Sequence, residues 1–225
     1  MLIVLEGLDG SGKSTQLRLL RDWLSAQSRP VKTIKLPDYE DGSSLLVRQY
    51  LAGRFGRAPG DVNAYAASLF YAVDRYANYR LKWAAAYAAG EIILADRYTT
   101  SNAYHQATKL PPEDWPAFFA WLEDTEYQKL GIPAPDLVLY LDMPLAFSKQ
   151  LISARYAGDD GKRDIHEADF AYLEQCAIAA AAAAKAMHWT IIPCAAQGAT
   201  LPYTPEEIHE HIRTVIRERT GSRFA

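Results

Sequence analysis

The eight residues that follow the first apolar run constrain the fold more than any other stretch. They read GLDGSGKS (7–14) and match the pattern GxxxxGK[ST]. The apolar run LIVLE (2–6) precedes them, and a stretch with helical spacing (13–27) follows. A glycine-rich turn between a buried strand and a helix lets backbone N–H groups face an anion at the helix start. The sequence therefore predicts a strand, a phosphate-binding loop and a helix in that order.

The rest of the chain continues the alternation of strand and helix. Further apolar runs of strand length are VKTIKL (31–36), EIILAD (91–96), DLVLYLD (136–142) and WTIIPC (189–194). Stretches with helical spacing cover 43–52, 61–89, 99–108, 112–129, 144–155, 166–187 and 204–219. Strands that are apolar on both faces belong in a covered parallel sheet. We expect an α/β protein with a three-layer α/β/α fold around a five-stranded parallel sheet, and residues 1–225 as a single domain.

Composition and charge exclude several classes of partner. Lys and Arg number 24 against 27 Asp and Glu, which gives a net charge of -3. The chain therefore lacks the excess of basic residues that is typical of proteins that bind nucleic acid or a membrane surface. The apolar start is too short for a signal peptide or a membrane span. Cys176 and Cys194 form neither a disulfide framework nor a CxxC site. These features predict a cytoplasmic protein with small-molecule partners.

The phosphate loop predicts binding of a nucleotide with Mg²⁺. Lys13 can reach the β- and γ-phosphates, while the Ser14 hydroxyl takes a position beside the metal. The candidate nucleotide-binding residues are Gly7, Asp9, Gly10, Ser11, Gly12, Lys13, Ser14 and Thr15. The loop does not name the reaction, because motors, GTP switches and small-molecule kinases share it.

Asp9 is an unusual residue for this loop. Its carboxylate would be repelled by polyphosphate, so we expect the side chain to point away from the donor, toward a sugar hydroxyl or an arginine. The alternative is an acid stabilised only by the dipole of the following helix.

Two other pairs of residues suggest an acceptor site. Asp96 and Arg97 end the run EIILAD at the carboxyl edge of the sheet, where open α/β sheets bind ligands. Asp96 can hold Mg²⁺ or accept a proton, and Arg97 can grip phosphate oxygens; a plain ion pair is the alternative. Tyr71 and Arg75 are four residues apart on one helical face, which suits a nucleobase near its phosphate or, equally, simple core packing.

At this point the chain resembles a family, the thymidylate kinases, which transfer the γ-phosphoryl group of ATP to dTMP. The matching segments are GLDGSGKSTQ, FYAVDR, DRYTTSNAYHQ, PDLVLYLDMP and the late segment RYAGDDGKRDIHE, in family order. The resemblance extends from Leu2 to about Ile216. The phosphate loop alone is unspecific, whereas the ordered set is specific.

The resemblance implies roles for individual residues. Asp9 would face the acceptor 3′-hydroxyl and an arginine, Tyr71 would stack on thymine, and Arg75 would hold the base or its phosphate. Asp96 and Arg97 would organise Mg²⁺ and the acceptor phosphate. The positions that match the thymine pocket are Ser101 and Gln106.

The resemblance also implies a P-loop kinase fold with a mobile lid at about 155–165, and a homodimer. Because Gly10 rather than a basic residue follows Asp9, the chain looks like the type whose catalytic cation comes from the lid. Arg155, Lys162 and Arg163 are the candidates, and the alternative is a solvated charged loop.

The sequence departs from the family pattern at several positions. Relatives place an arginine shortly after the proline of KLPDYEDGSS, and the nearest matching position here is Tyr39. Arg48 is a possible substitute. His105 replaces a tyrosine, and Gln150 lies near an arginine that commonly stacks on the donor adenine.

These departures leave two other hypotheses open. A deoxynucleoside kinase would phosphorylate a 5′-hydroxyl, with Asp96, Asp38 or Glu40 as its base. A nucleotide-dependent switch would lack an acceptor pocket altogether.

Overall fold

The computed structural model describes residues 1–56, 58–155 and 170–221. Its centre is a five-stranded parallel sheet with the strand order β2-β3-β1-β4-β5. The strands are β1 (Leu2–Glu6), β2 (Val31–Lys35), β3 (Ile92–Asp96), β4 (Leu137–Asp142) and β5 (Thr190–Pro193). All five predicted strands are present, each within two residues of its expected bounds.

Helices cover both faces of this sheet. The α-helices are α1 (Lys13–Ser25), α2 (Leu45–Leu51), α3 (Ala64–Asn78), α4 (Ala84–Ala88), α5 (Thr99–His105), α6 (Trp115–Glu123), α7 (Leu145–Arg155), α8 (Phe170–Ala186) and α9 (Pro205–Thr220). Short 3₁₀ turns lie at Gly42–Ser44, Pro59–Asp61, Ala107–Lys109 and Pro112–Asp114, and π-helical turns at Tyr79–Trp83 and Asp124–Lys129.

The two faces of β1 pack into different hydrophobic cores. Leu2 and Val4 join a core with residues of α5, α6 and α8, whereas Ile3 and Leu5 join a core with residues of α1 and α9. Successive side chains of a strand point to opposite faces, so a strand that is apolar at every position requires cover on both sides. The three-layer fold is therefore confirmed.

The long helical stretch predicted at 61–89 is divided. The Asn63 side chain accepts a hydrogen bond from the N–H of Ala66, which caps α3 at its start. A π-helical turn separates α3 from α4, and within it Trp83 is buried against Tyr79 and Tyr98. Hydrophobic periodicity does not reveal this interruption because the chain stays helical through it.

The predicted helix start near residue 204 is confirmed in detail. Thr204 Oγ1 accepts from the N–H of Glu207, and the Glu207 carboxylate accepts from the N–H of Thr204. The alanine-rich run at 177–186 belongs to α8, where Ala179 and Ala183 are fully buried. Among the described residues, no helix is long and apolar enough to cross a membrane.

The segment predicted as a lid, about 155–165, falls mostly outside the described residues. Lys162 and Arg163 belong to that part of the chain. Arg155 ends α7, but its side chain lies outside the description.

Candidate active site

A cavity of about 290 Å³ opens at the carboxyl edge of the sheet, between the phosphate loop, the ends of β2 and β3, and helices α3 and α5. Open α/β sheets bind ligands at this edge. The cavity brings together most of the predicted site residues: Asp9, Gly10, Ser11, Gly12, Lys13, Ser14, Thr15, Tyr71, Arg75, Asp96, Arg97, Ser101 and Gln106. Gly7, at the start of the loop, is not among the residues that line the cavity.

The phosphate loop requires glycine where it passes α7. Gly10 has a φ of 76°, in the left-handed region that side chains disfavour. A Cβ atom at this position would lie 2.6 Å from the carbonyl oxygen of Ser148. Both observations show that the loop is held close to α7 by a residue without a side chain.

Lys13 is folded back over its own loop. Its Nζ donates hydrogen bonds of 2.8 Å to the carbonyl oxygens of Gly7 and Leu8. Burial, and then the charge of Arg97, lower the pKa of Lys13 to about 8. Among the described residues, the hydrogen bonds of this buried ammonium involve only neutral carbonyls, and an incoming phosphate would stabilise its charge.

Asp9 is paired with Arg97. Arg97 Nη2 donates to Asp9 Oδ1 at 2.5 Å. Burial opposes the charge of Asp9, but the cations Arg97 and Lys13 outweigh it and hold the pKa of that carboxyl well below its ordinary value. Arg97 itself has a φ of 70°, and non-glycine residues in this region concentrate at functional sites.

A buried carboxylate, Glu6, fixes the start of α5. Its oxygens accept hydrogen bonds from the N–H of Tyr98 and from the hydroxyls of Thr100, Ser101 and Tyr104, at 2.7–3.1 Å. A fully buried carboxylate requires such partners. This network orients the segment that follows Arg97 and determines which side chains of α5 face the cavity.

The second half of the Arg97 guanidinium points along α5. Nη1 donates to the hydroxyl of Tyr104 at 2.9 Å and lies 3.2 Å from His105 Nε2. The other ring nitrogen of His105 lies 3.0 Å from the hydroxyl of Tyr172. Arg97 is therefore held on two sides, with Asp9 at one edge and α5 at the other.

Arg75 forms a buried ion pair at the far end of the cavity. Its Nε and Nη2 donate to the two carboxylate oxygens of Glu126 at 2.6 and 2.5 Å, and Thr99 Oγ1 donates to the same carboxylate. Both charged side chains are at most 3% exposed. Tyr71 lies one turn earlier on α3 and also lines the cavity. The bidentate geometry fixes the plane of the guanidinium at the cavity wall.

Arg48 does not substitute for the arginine that Tyr39 replaces. Its Nη1 donates to the carbonyl oxygens of Tyr39 and Asp41 and to Ser44 Oγ, at 2.6–2.9 Å. Tyr39 itself lines the cavity. The guanidinium of Arg48 is thus used to hold the loop that follows β2.

The same loop is tied to α3 by carboxylates. Asp74 accepts from the N–H of Asp38 and from the Ser43 hydroxyl, and it is fully buried. The Asp38 carboxylate accepts from Asn78 and from Lys82. Asp38 is therefore engaged in holding the loop and does not project into the cavity.

Gln106 and the residues that could hold a metal complete the site. Gln106 is buried, and its Oε1 has no hydrogen-bond partner among the described residues.

Within the described part of the chain, no three His, Cys, Asp or Glu side chains cluster to hold a metal ion. Mg²⁺ needs no such cluster, because it is usually held by one or two protein oxygens plus substrate phosphates. Ser14 and Asp96 offer that set at the cavity wall.

The sequence of this chain matches known proteins over most of its length. The family model described as thymidylate kinase matches residues 5–200. The chain belongs to the thymidylate kinase family. Thymidylate kinase from Mycobacterium tuberculosis (strain CDC 1551 / Oshkosh) is 30% identical over 192 residues, covering 84% of this chain and 87% of that protein.

Two further relatives are named as a thymidylate kinase and a probable thymidylate kinase. Thymidylate kinase from Synechococcus sp. (strain RCC307) is 30% identical over 228 residues, covering 96% of this chain and 95% of that protein. The probable thymidylate kinase of Thermococcus onnurineus (strain NA1) is 34% identical over 158 residues, covering 69% and 72% of the two chains. The match to the family therefore extends well beyond the phosphate loop.

Sequence reasoning missed several residues of this thymidylate kinase family site. Lys35 and Asn102 line the cavity, while Glu6 and Glu126 support it from behind. For Glu6 a signal existed, because a charge at the end of a wholly apolar strand needs partners. No comparable signal marks Glu126, because it lies in a stretch of charged residues that looks exposed in the sequence.

Proposed function

We propose that the protein is a thymidylate kinase that transfers the γ-phosphoryl group of ATP to dTMP, giving dTDP and ADP with Mg²⁺. The observation that carries this proposal is the Asp9–Arg97 pair, which joins the phosphate loop to the cavity wall formed by α3 and α5. The site therefore has a donor half and an acceptor half that meet at one ion pair. Membership of the thymidylate kinase family supports dTMP as the acceptor.

On the donor side, the loop from Gly7 to Thr15 binds the phosphates of ATP through its backbone N–H groups. Lys13 exchanges its carbonyl partners for the β- and γ-phosphates. Ser14 and Asp96 would hold Mg²⁺, which would neutralise charge on the phosphoryl oxygens.

On the acceptor side, Tyr71 stacks on the base and Arg75 contacts it from the plane that Glu126 fixes. Gln106 Oε1, which has no partner in the described part of the chain, accepts a hydrogen bond from an N–H of the base, so this buried acceptor is satisfied. Ser101, held by Glu6, lines the same pocket. Arg97 binds the acceptor phosphate, and Asp9 faces the sugar hydroxyl.

Catalysis in this proposal depends on positioning and positive charge. Phosphoryl transfer needs aligned phosphates and cations near the equatorial oxygens. Lys13 and Arg97 supply two such cations from the rigid part of the site. We further propose that Arg155 and Arg163 of the lid, about 155–165, supply further positive charge and exclude water, within one kinase domain of residues 1–225.

The alternative of a deoxynucleoside kinase has less support. Of its three candidate bases, Asp38 is bound to Asn78 and Lys82, and Glu40 does not line the cavity. Asp96 does line it and serves both hypotheses. A nucleotide switch offers no reason for a cavity wall that combines Tyr71 with a buried Arg75–Glu126 pair.

The reaction is tested by ADP release. The purified protein with ATP and Mg²⁺ is offered dTMP, dUMP, dCMP, AMP and thymidine in separate assays. We expect the highest kcat/KM with dTMP and none above background with thymidine. Turnover of thymidine alone would indicate a nucleoside kinase, and no acceptor-dependent ADP would exclude both kinase functions.

We propose that the protein is a homodimer that packs through α3. Tyr65, Leu69, Val73 and Tyr76 recur every three or four residues on that helix and are 38–50% exposed. An apolar stripe of this kind marks an interaction surface. Light scattering should show a dimer for the wild type and a monomer for Val73→Glu, while Leu201→Glu, at an exposed loop, should stay dimeric.

A further inference from the structure

Lys35 is the last residue of β2 and lines the cavity. It pairs in register with Asp96, the last residue of β3, so the two side chains project from the same face of the sheet. Asp96 is buried, whereas Lys35 is exposed. Lys35 thus places a flexible cation at the mouth of the site, beside the candidate metal ligand.

Three other cations around this edge already have acidic partners, and Lys13 is assigned to the donor phosphates. Arg97 is paired with Asp9, and Arg75 with Glu126. Lys82 binds Asp38 and Asp41. Within residues 1–56, 58–155 and 170–221, Lys35 takes part in no ion pair.

Arg48 is not available for the acceptor phosphate, because its guanidinium donates hydrogen bonds to the carbonyl oxygens of Tyr39 and Asp41 in the loop after β2. Tyr39 stands nearest to the position where an acceptor-phosphate arginine was expected, and it has no charge. An acceptor monophosphate is a dianion at neutral pH, and Arg97, already neutralised by Asp9, compensates only part of its charge. With Lys13 assigned to the donor phosphates, a further cation at this edge would compensate the remaining charge of the acceptor phosphate.

We propose that Lys35 binds the phosphate of the acceptor nucleotide and so takes over the role of the missing arginine. This inference rests on the proposed function, since it assumes a monophosphate acceptor in this cavity. A lysine ammonium acts as a point charge on a flexible chain, so it reaches the phosphate without a fixed bidentate geometry. Lys35 then determines the preference for a monophosphate over the free nucleoside.

The test compares Lys35→Met and Lys35→Arg with a matched control, Lys32→Met. Lys32 lies in the same strand and does not line the cavity. For each protein, KM for dTMP and for ATP is measured, together with the calorimetric Kd of dTMP and of thymidine. Thermal melting confirms that every variant is folded.

We expect Lys35→Met to weaken dTMP about tenfold, by KM and by Kd, because it removes a charge-assisted hydrogen bond. KM for ATP and the Kd of thymidine should change less than about twofold, and Lys35→Arg should retain most of the dTMP affinity. The control should resemble the wild type in all four measurements.

Two results would overturn the inference: an unchanged dTMP affinity in Lys35→Met, or an equal loss of thymidine affinity, which would mean a role in shaping the pocket. Wild-type protein that binds dTMP without releasing ADP would contradict the proposed reaction instead, and the binding comparison would still decide the role of Lys35.

Discussion

Asp9 Oδ1 lies 2.5 Å from Arg97 Nη2, and this contact joins two segments that are 88 residues apart in the chain. One belongs to the phosphate loop and the other to the end of β3, where Arg97 adopts a left-handed backbone conformation. Because Asp9 takes one edge of the guanidinium, its orientation is fixed before any ligand binds. The acid in the phosphate loop therefore acts on the acceptor half of the site through Arg97.

Asp9→Asn tests this coupling. The amide keeps the shape of the side chain but removes the charge that fixes Arg97. We expect KM for dTMP to rise tenfold to a hundredfold, which corresponds to the about 1.5–3 kcal/mol of a charge-assisted hydrogen bond, while KM for ATP changes less than about threefold. Steady-state kinetics with each substrate varied in turn measures both.

The matched control is Asp22→Asn, at an exposed acid of α1. It should have wild-type kinetics. A larger effect of Asp9→Asn on ATP than on dTMP would place Asp9 on the donor side and contradict the assignment.

The sequence predicted the sheet well because its evidence is local. The central strands β1, β3 and β4 are apolar on both faces, and β1 shows this directly, with Val4 and Leu5 in different cores. The phosphate loop was equally clear, because a glycine pattern between a strand and a helix has few other meanings. Fold and donor site thus depend on residues that are close together in the chain.

The support of the acceptor site could not be predicted in the same way. An arginine partner for Asp9 was expected from charge alone, but the pairing of Arg75 with Glu126 joins residues 51 apart. Glu126 lies in a π-helical turn among exposed charges, so neither its burial nor its direction follows from periodicity. Long-range pairs of this kind are set by tertiary packing.

Glu126→Gln tests the energetic role of that pair. The substitution leaves Arg75 buried without its counter-charge, which costs about 3 kcal/mol. We expect Tm to fall by about 6–12 °C in calorimetry, given about 2–4 °C per kcal/mol for a chain of this size. KM for dTMP should rise as well, because the guanidinium loses its fixed plane.

Glu123→Gln, at an exposed position of α6, provides the comparison and should stay within about 0.5 kcal/mol of the wild type. Equal unfolding midpoints for the two variants would show that Arg75 finds another partner.

Gln106→Leu separates recognition from stability. The Oε1 atom that it removes is buried and has no partner in the described structure, so the folded protein should lose little stability. The base N–H that this oxygen accepts would lose its partner. We expect KM for dTMP to rise about tenfold and the preference for dTMP over dCMP to shrink, both measured by ADP release.

A loss of stability comparable to that of Glu126→Gln would instead assign Gln106 to the core. Unchanged selectivity between dTMP and dCMP would contradict a contact between its side chain and the base.

The lowered pKa of Lys13 predicts how ATP capture depends on pH. Burial, followed by the charge of Arg97, lowers this pKa from 10.5 to about 8, so the free enzyme holds the ammonium below pH 8 and loses it above. We expect kcat/KM for ATP at saturating dTMP to fall as pH rises through about 8. The profile of kcat should bend at higher pH, because bound triphosphate raises the pKa of the lysine.

A second lysine provides the control for this profile. Burial also lowers the pKa of Lys109 to about 8, but its ammonium binds Tyr50 and Val62 outside the cavity. Lys109→Gln should therefore keep the inflection in kcat/KM for ATP. If the inflection disappears in Lys109→Gln, the titration belongs to Lys109 and not to Lys13. If the wild type shows no inflection near pH 8, Lys13 enters the reaction with an ordinary pKa.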